Sequence, residues 1–185
     1  MALTKTPVCD FGKKAEDFKL KSIENKIISL NDVKGEKATL IMFICNHCPY
    51  VKAIIRDLAK DCNELKKDGI NSVAIMSNDT KNYPEDSYEN MIKFAKTNNF
   101  GEINYLIDET QEIARKYGAV CTPDFFGYNK DLKLQYRGRF RELKDLKPIS
   151  NEDSDLKIAM KMISETQAGP KEQIPSMGCN IKWFN

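Results

Sequence analysis

The sequence contains a single histidine among its 185 residues, and it has no apolar run approaching the roughly 18 residues of a membrane-spanning helix. It also lacks an excess of charge of one sign. Lys and Arg number 29 against 27 Asp and Glu, a net charge of +2, and no block of like charges stands out. That balance argues against a nucleic-acid surface and against a polybasic membrane patch. Met1 to Gly12 carries no apolar signal-peptide core, and no repeat or low-complexity tract is visible. A cytoplasmic location is therefore expected. In that reducing compartment six cysteines are expected to be catalytic, redox-sensing or metal-binding rather than a static disulfide frame.

What is present reads as one globular domain over residues 1–185, with 41% apolar and 30% charged residues. Residues 18–30 alternate around Glu24-Asn25-Lys26, which predicts a hairpin. Ala38 to Ile44 is a continuous apolar run, the mark of a strand covered on both faces. Val51, Ile54, Ile55, Leu58, Cys62 and Leu65 then recur at helical spacing, and Gly69 closes that helix. Ser72 to Met76 predicts a second buried strand, Tyr88 to Lys96 a helix, Ile103 to Ile107 a strand, and Glu109 to Tyr117 a helix closed by Gly118. Asp124 to Tyr128 and Lys133 to Arg137 read as strands joined by a turn at Asn129-Lys130-Asp131. Asp153 to Glu165 predicts the last helix. The tail, residues 168–185, holds Gly169-Pro170, Pro175 and Gly178 and is expected to be irregular. Strand-helix-strand followed by a hairpin predicts an α/β fold with a mixed central sheet flanked by helices, an N-terminal β-hairpin and a central helical insertion.

Cys45 and Cys48 stand two residues apart. Half of a zinc site is one reading, but a structural zinc site needs four ligands. The remaining cysteines are scattered at 9, 62, 121 and 179, and the only histidine lies inside the pair. The position favours redox chemistry. Cys45 is placed where a buried strand gives way to a helix, as that helix's N-cap, where unpaired amides and the helix dipole favour a thiolate. Cys48, one turn in, would resolve a mixed disulfide. His47 beside them is expected to lower the Cys45 pKa, or else to be a polar turn residue. Thr122-Pro123 is the second informative point: a cis-Pro there would set the Thr122 backbone against the dithiol, open to pairing with an extended partner, while a trans turn is the plain alternative.

Three motifs together resemble the peroxiredoxin-like branch of the thioredoxin superfamily, near the alkyl hydroperoxide reductase/thiol-specific antioxidant proteins. They are C-N-H-C-P-Y-V from Cys45, V-C-T-P-D-F-F from Val120 and P-S-M-G-C-N-I-K-W from Pro175, and the likeness extends over nearly the whole chain. The resemblance implies a thioredoxin-like fold and a cis bond before Pro123. Two departures matter. The Pro and Thr/Ser that precede a peroxidatic cysteine are replaced by Ala38 and Met42, and the buried acid of thioredoxins is replaced by Thr39.

Cys121 and Cys179, both within these motifs, are expected either to form a second redox pair or relay with the dithiol, or to be buried apolar thiols. Cys62 reads as core, Cys9 as either covered or exposed, and Trp183 with Phe184 as a pin for the tail. Arg137 and Arg139 read as edge-strand charges or as groups beside the thiolate. The leading expectation is a thiol-disulfide oxidoreductase with no cofactor and no metal, acting on protein or low-molecular-weight thiols and disulfides, with Cys45, Cys48, His47, Thr122 and Pro123 as its site. A thiol peroxidase and a non-enzymatic redox sensor are the alternatives. Association into a homodimer is also expected, as relatives often associate.

Overall fold

A computed structural model describes residues 3–184. In chain order the elements are β1 (Leu3–Lys5), β2 (Lys19–Ser22), β3 (Ile27–Ser29), α1 (Leu30–Val33), β4 (Ala38–Phe43), α2 (Pro49–Lys66), β5 (Ile70–Met76), α3 (Tyr88–Thr97), β6 (Asn104–Ile107), α4 (Glu112–Tyr117), β7 (Cys121–Thr122), β8 (Asp124–Asn129), β9 (Leu134–Tyr136), β10 (Leu143–Lys144), β11 (Lys147–Pro148), α5 (Asp155–Thr166) and β12 (Met177–Asn180). Seven strands form the central sheet in the order β3-β2-β6-β5-β4-β8-β9. β4 lies between a parallel neighbour, β5, and an antiparallel one, β8. This is the mixed α/β architecture expected from the strand and helix order.

The apolar run of β4 serves two cores. Side chains alternate across a strand, so Ala38, Leu40 and Met42 enter the cluster under α2 and α5, while Ile41 and Phe43 enter the cluster on the other face with Tyr117 of α4. The stripe predicted on α2 is buried in full, Cys62 included. Each such Leu or Ile contributes about 1.5–3 kcal/mol through burial. The predicted hairpins are present as β2–β3 and β8–β9. Gly118 ends α4 at φ +64°, where a side chain would be strained. No helix among the described residues is long and apolar enough to cross a membrane.

The tail departs from expectation. Its first part is irregular, but Met177–Asn180 forms β12, which lies between β1 and β7 in a separate three-stranded sheet. Nonlocal pairing supplies what M-G-C-N lacks in local pattern. Gly178 makes the approach feasible, since a Cβ there would fall 2.0 Å from the Thr122 carbonyl oxygen.

Gly127 of β8 faces α5 at similarly short range, and a Cβ would meet Met160 Sδ at 2.7 Å and Tyr136 Cβ at 2.9 Å. Gly127→Ala is expected to push α5 away and destabilise the protein by about 1–3 kcal/mol, read as a lower urea midpoint with an unchanged slope.

Candidate active site

Pro49 sets the local structure of the site. It occupies the first position of α2, where its missing N–H costs nothing. It also holds the preceding residue extended, so Cys48 takes φ −63°, ψ 125° and becomes the N-cap. The expectation that Cys45 caps the helix is thereby corrected: Cys45, Asn46 and His47 form the loop between β4 and α2.

Thr122 faces this loop across a cis bond to Pro123, as the resemblance implies. Its hydroxyl lies 3.3 Å from Cys45 Sγ. Its carbonyl oxygen lies 3.1 Å from Cys48 Sγ. Cys179 Sγ approaches Cys48 Sγ from β12 at 3.1 Å. Cys45, Cys48 and Cys179 are 1%, 0% and 4% exposed, so all three thiols are covered, not the second alone. The register explains the grouping. Cys179 stands opposite Thr122, so the two share a face. Cys121 belongs to the alternate face, where its thiol contacts Pro123 O at 3.6 Å. Of the alternatives for Cys121 and Cys179, a pair is not what β7 and β12 bring together; Cys179 stands against the dithiol, where a relay would place it, and Cys121 is a buried thiol apart. The Thr122 edge expected to receive an incoming chain is held by β12.

Beneath the loop lies a polar residue that the sequence did not single out. Asp86, 0% exposed, accepts from the amides of Asn46 at 2.8 Å and His47 at 3.3 Å, from Asn78 Nδ2 at 2.8 Å, and contacts His47 Nδ1 at 2.7 Å. Asn46 Oδ1 in turn accepts from Tyr105 Oη at 3.0 Å. The His47 ring stacks on Tyr83. The hydrogen bond to Asp86 raises the His47 pKa against the opposing effect of burial. Burial pushes Asp86 up, but the hydrogen bonds from His47 and Asn78 and the His47 charge together hold it below the usual carboxylate range.

The dithiol divides its charge unequally. For Cys48 the largest effect is the hydrogen bond from Cys45, which lowers its pKa. Burial opposes this, and the Cys179 thiol and the amides of Val51 and Cys179 reinforce it. For Cys45 the same hydrogen bond raises the pKa, as do burial and the Asp86 charge, and the Thr122 hydroxyl offsets only part. Between the two sulfurs, these contacts favour the charge on Cys48 and oppose it on Cys45. His47 was expected to draw it to Cys45, but the imidazole is engaged by Asp86, whose own charge disfavours a Cys45 thiolate.

Cys45, His47 and Asp86 place their ligand atoms within 4.8 Å of one another, a spacing that suits a metal ion. An ion held by His47 Nδ1 and Asp86 Oδ2 would have to replace the His47–Asp86 hydrogen bond and compete with the one from Asn78 Nδ2. Thr39 is not a substitute base, since its hydroxyl accepts from the Gly35 amide at 3.0 Å. Arg137 is neither an edge charge nor a thiolate partner. It is buried against Asp124, with bonds of 2.9 and 3.3 Å, and donates to Gly118 O at 2.7 Å. Trp183 does pin the tail, with the Arg115 guanidinium 4.2 Å from its ring centroid. Asp86 and Asn78 left no local signal in the sequence, whereas Pro49 marked the true helix start.

A sequence model of the AhpC/TSA family matches residues 11–137, and the chain belongs to that family. An uncharacterized conserved protein from Geobacillus kaustophilus is 41% identical, with a TM-score of 0.89 over 100% of this chain and 97% of that one. A hypothetical protein from Sinorhizobium meliloti 1021 is 35% identical, with a TM-score of 0.90 over 98% of each chain. A thiol:disulfide interchange protein of the thioredoxin family from Chlorobium tepidum TLS, 19% identical, shares the fold with a TM-score of 0.63 over 83% of this chain and 97% of its own. No protein of curated function matches the sequence. The fold is thioredoxin-like, and the function is thiol-based redox chemistry.

Two outcomes follow from the electrostatics. Reduced protein is expected to titrate one thiolate well below the range of a free thiol. Cys45→Ala should raise that pKa by removing the thiol donor to Cys48, as read by ultraviolet thiolate absorbance. The His47–Asp86 pair contributes stability that is lost as pH rises through the raised His47 pKa, and lost again as pH falls through the depressed Asp86 pKa. Asp86→Asn should flatten this profile and destabilise the protein by about 1.5–3 kcal/mol, measured by urea melts across pH.

Proposed function

We propose that this chain is a thiol-disulfide oxidoreductase that exchanges the Cys45–Cys48 disulfide with a protein or small thiol. The observation that carries the reading is the placement of the two thiols. They stand just past the end of β4 and at the start of a long helix, and both touch Thr122. Such a pair shares one proton when half ionised. As a partner disulfide reaches Cys45, that proton passes to Cys48 and Cys45 attacks one partner sulfur. The other leaves as a thiolate and takes up a proton. Cys48, whose thiolate is still favoured by the Cys179 thiol and the Val51 and Cys179 amides, gives up its proton, attacks Cys45 Sγ, forms the intramolecular disulfide and releases the second partner thiol. His47, Thr122 and Pro123 border this path.

One observation favours a second reading, a thiol peroxidase. Thr122 sets a hydroxyl 3.3 Å from Cys45 Sγ, where Met42 supplies none, and could hold a peroxide oxygen.

The test is turnover of insulin or glutathione disulfides by reduced protein. Wild type is expected to catalyse exchange, and Cys45→Ser to fall to the uncatalysed rate. Full activity in that variant would show Cys45 not to be the attacking thiol. Rapid consumption of hydrogen peroxide without disulfide exchange would replace the first reading by the second.

A further inference from the structure

Cys179 has no part in the exchange just described, yet its position is firmly built. β12 is clamped on both sides of it. Ser176 Oγ donates to Pro123 O at 2.8 Å, and the Thr6 amide donates to Ser176 O at 2.9 Å. Beyond the strand, the Lys182 amide donates to Asn78 Oδ1 at 2.9 Å, and Gln111 Nε2 donates to Lys182 O at 2.8 Å. Gly178 lies flat against the Thr122 carbonyl. Held in this way, Cys179 shares the face of Thr122 and meets Cys48 Sγ at 3.1 Å, while Cys45 neighbours Cys48 from the loop before α2. Cys48 thus has a thiol neighbour on each side.

We propose that Cys179 is a third exchanging thiol of the redox centre, so that the oxidised protein interconverts between a Cys45–Cys48 and a Cys48–Cys179 disulfide. The interconversion rests on the dithiol reading above for the first of these bonds. Cys179 gives up its proton and its sulfur attacks Cys48 Sγ. The Cys48–Cys179 bond forms as the Cys45–Cys48 bond breaks, and the electron pair leaves with Cys45, which takes up the proton. One disulfide replaces another with no net oxidation or reduction. The exchange changes what the site can do. Tied to Cys179, Cys48 no longer resolves an adduct on Cys45. Cys45 also loses the neighbour that most strongly opposes its ionisation and keeps the Thr122 hydroxyl. The centre is then oxidised while its first nucleophile is free.

The full-length protein is to be equilibrated in glutathione redox buffers, quenched in acid, alkylated and digested without reduction, and its disulfides identified by mass spectrometry. Wild type should yield both linkages. Cys45→Ser should convert fully to Cys48–Cys179, and Cys121→Ser should leave that linkage unchanged. Gly178→Ala, which forces β12 off Thr122, should lose it and keep Cys45–Cys48. If Cys48 and Cys179 stay alkylatable in Cys45→Ser, or Cys48 only accumulates glutathione, under conditions that oxidise wild type, the proposal is overturned and the dithiol reading stands. A wild type that forms no Cys45–Cys48 disulfide would sink the dithiol reading and the interconversion with it, and the Cys45→Ser result would then decide separately whether Cys48 and Cys179 pair.

Discussion

The Thr122 carbonyl oxygen lies 3.1 Å from Cys48 Sγ, the Thr122 hydroxyl lies 3.3 Å from Cys45 Sγ, and the Thr122 backbone is paired with Cys179. One residue therefore holds the spacing of all three thiols. That position depends in turn on β8, which continues directly from Pro123 and pairs with β4 along its length. The strand that delivers Cys45 and the strand that follows Thr122 are neighbours in the sheet, so packing in both cores fixes their separation. Displacement of either would reach the thiols within a few residues. Interiors packed at crystal-like density transmit such shifts rather than absorb them.

Charge in the site follows from a conflict between Asp86 and the dithiol. A buried carboxylate near two ionisable thiols would suppress a thiolate if left uncompensated. It is compensated in the vertical sense, by His47, Asn78 and two loop amides beneath Cys45. What remains of its field falls on Cys45, while Cys48 looks toward the start of α2 and the β12 thiol. Asp86 thus organises the loop conformation and helps place the negative charge one turn further on. The residue that shapes the loop thus also opposes a thiolate on Cys45.

Much of this was legible in the sequence, and the exceptions have a common cause. The run Ala38 to Ile44 and the stripe from Val51 to Leu65 gave β4 and α2, because strand and helix periods are local properties. The dithiol and Thr122-Pro123 were legible as motifs. Asp86 was not, because its meaning comes from a loop distant in sequence and from Asn78, neither of which constrains residue 86 locally. β12 was missed because Gly178 and Pro175 read as breakers, whereas glycine here is the condition for close approach to Thr122. The helix start was misjudged by three residues although its signal, Pro49 after Cys48, was present.

Access to the site is constrained by the same strand that completes it. An extended polypeptide seeking backbone hydrogen bonds at Thr122 would need the edge that β12 occupies, and β12 is held by β1 on its far side and by hydrogen bonds at both ends. His47, whose side chain is 14% exposed, is the more open neighbour of Cys45. Loss of β12 would expose Cys48 and remove Cys179 together, since the strand's register couples them. Covering the dithiol and supplying the third thiol are therefore not separable properties of this tail. Any movement of β12 that admits a large partner to Thr122 also takes Cys179 away from Cys48.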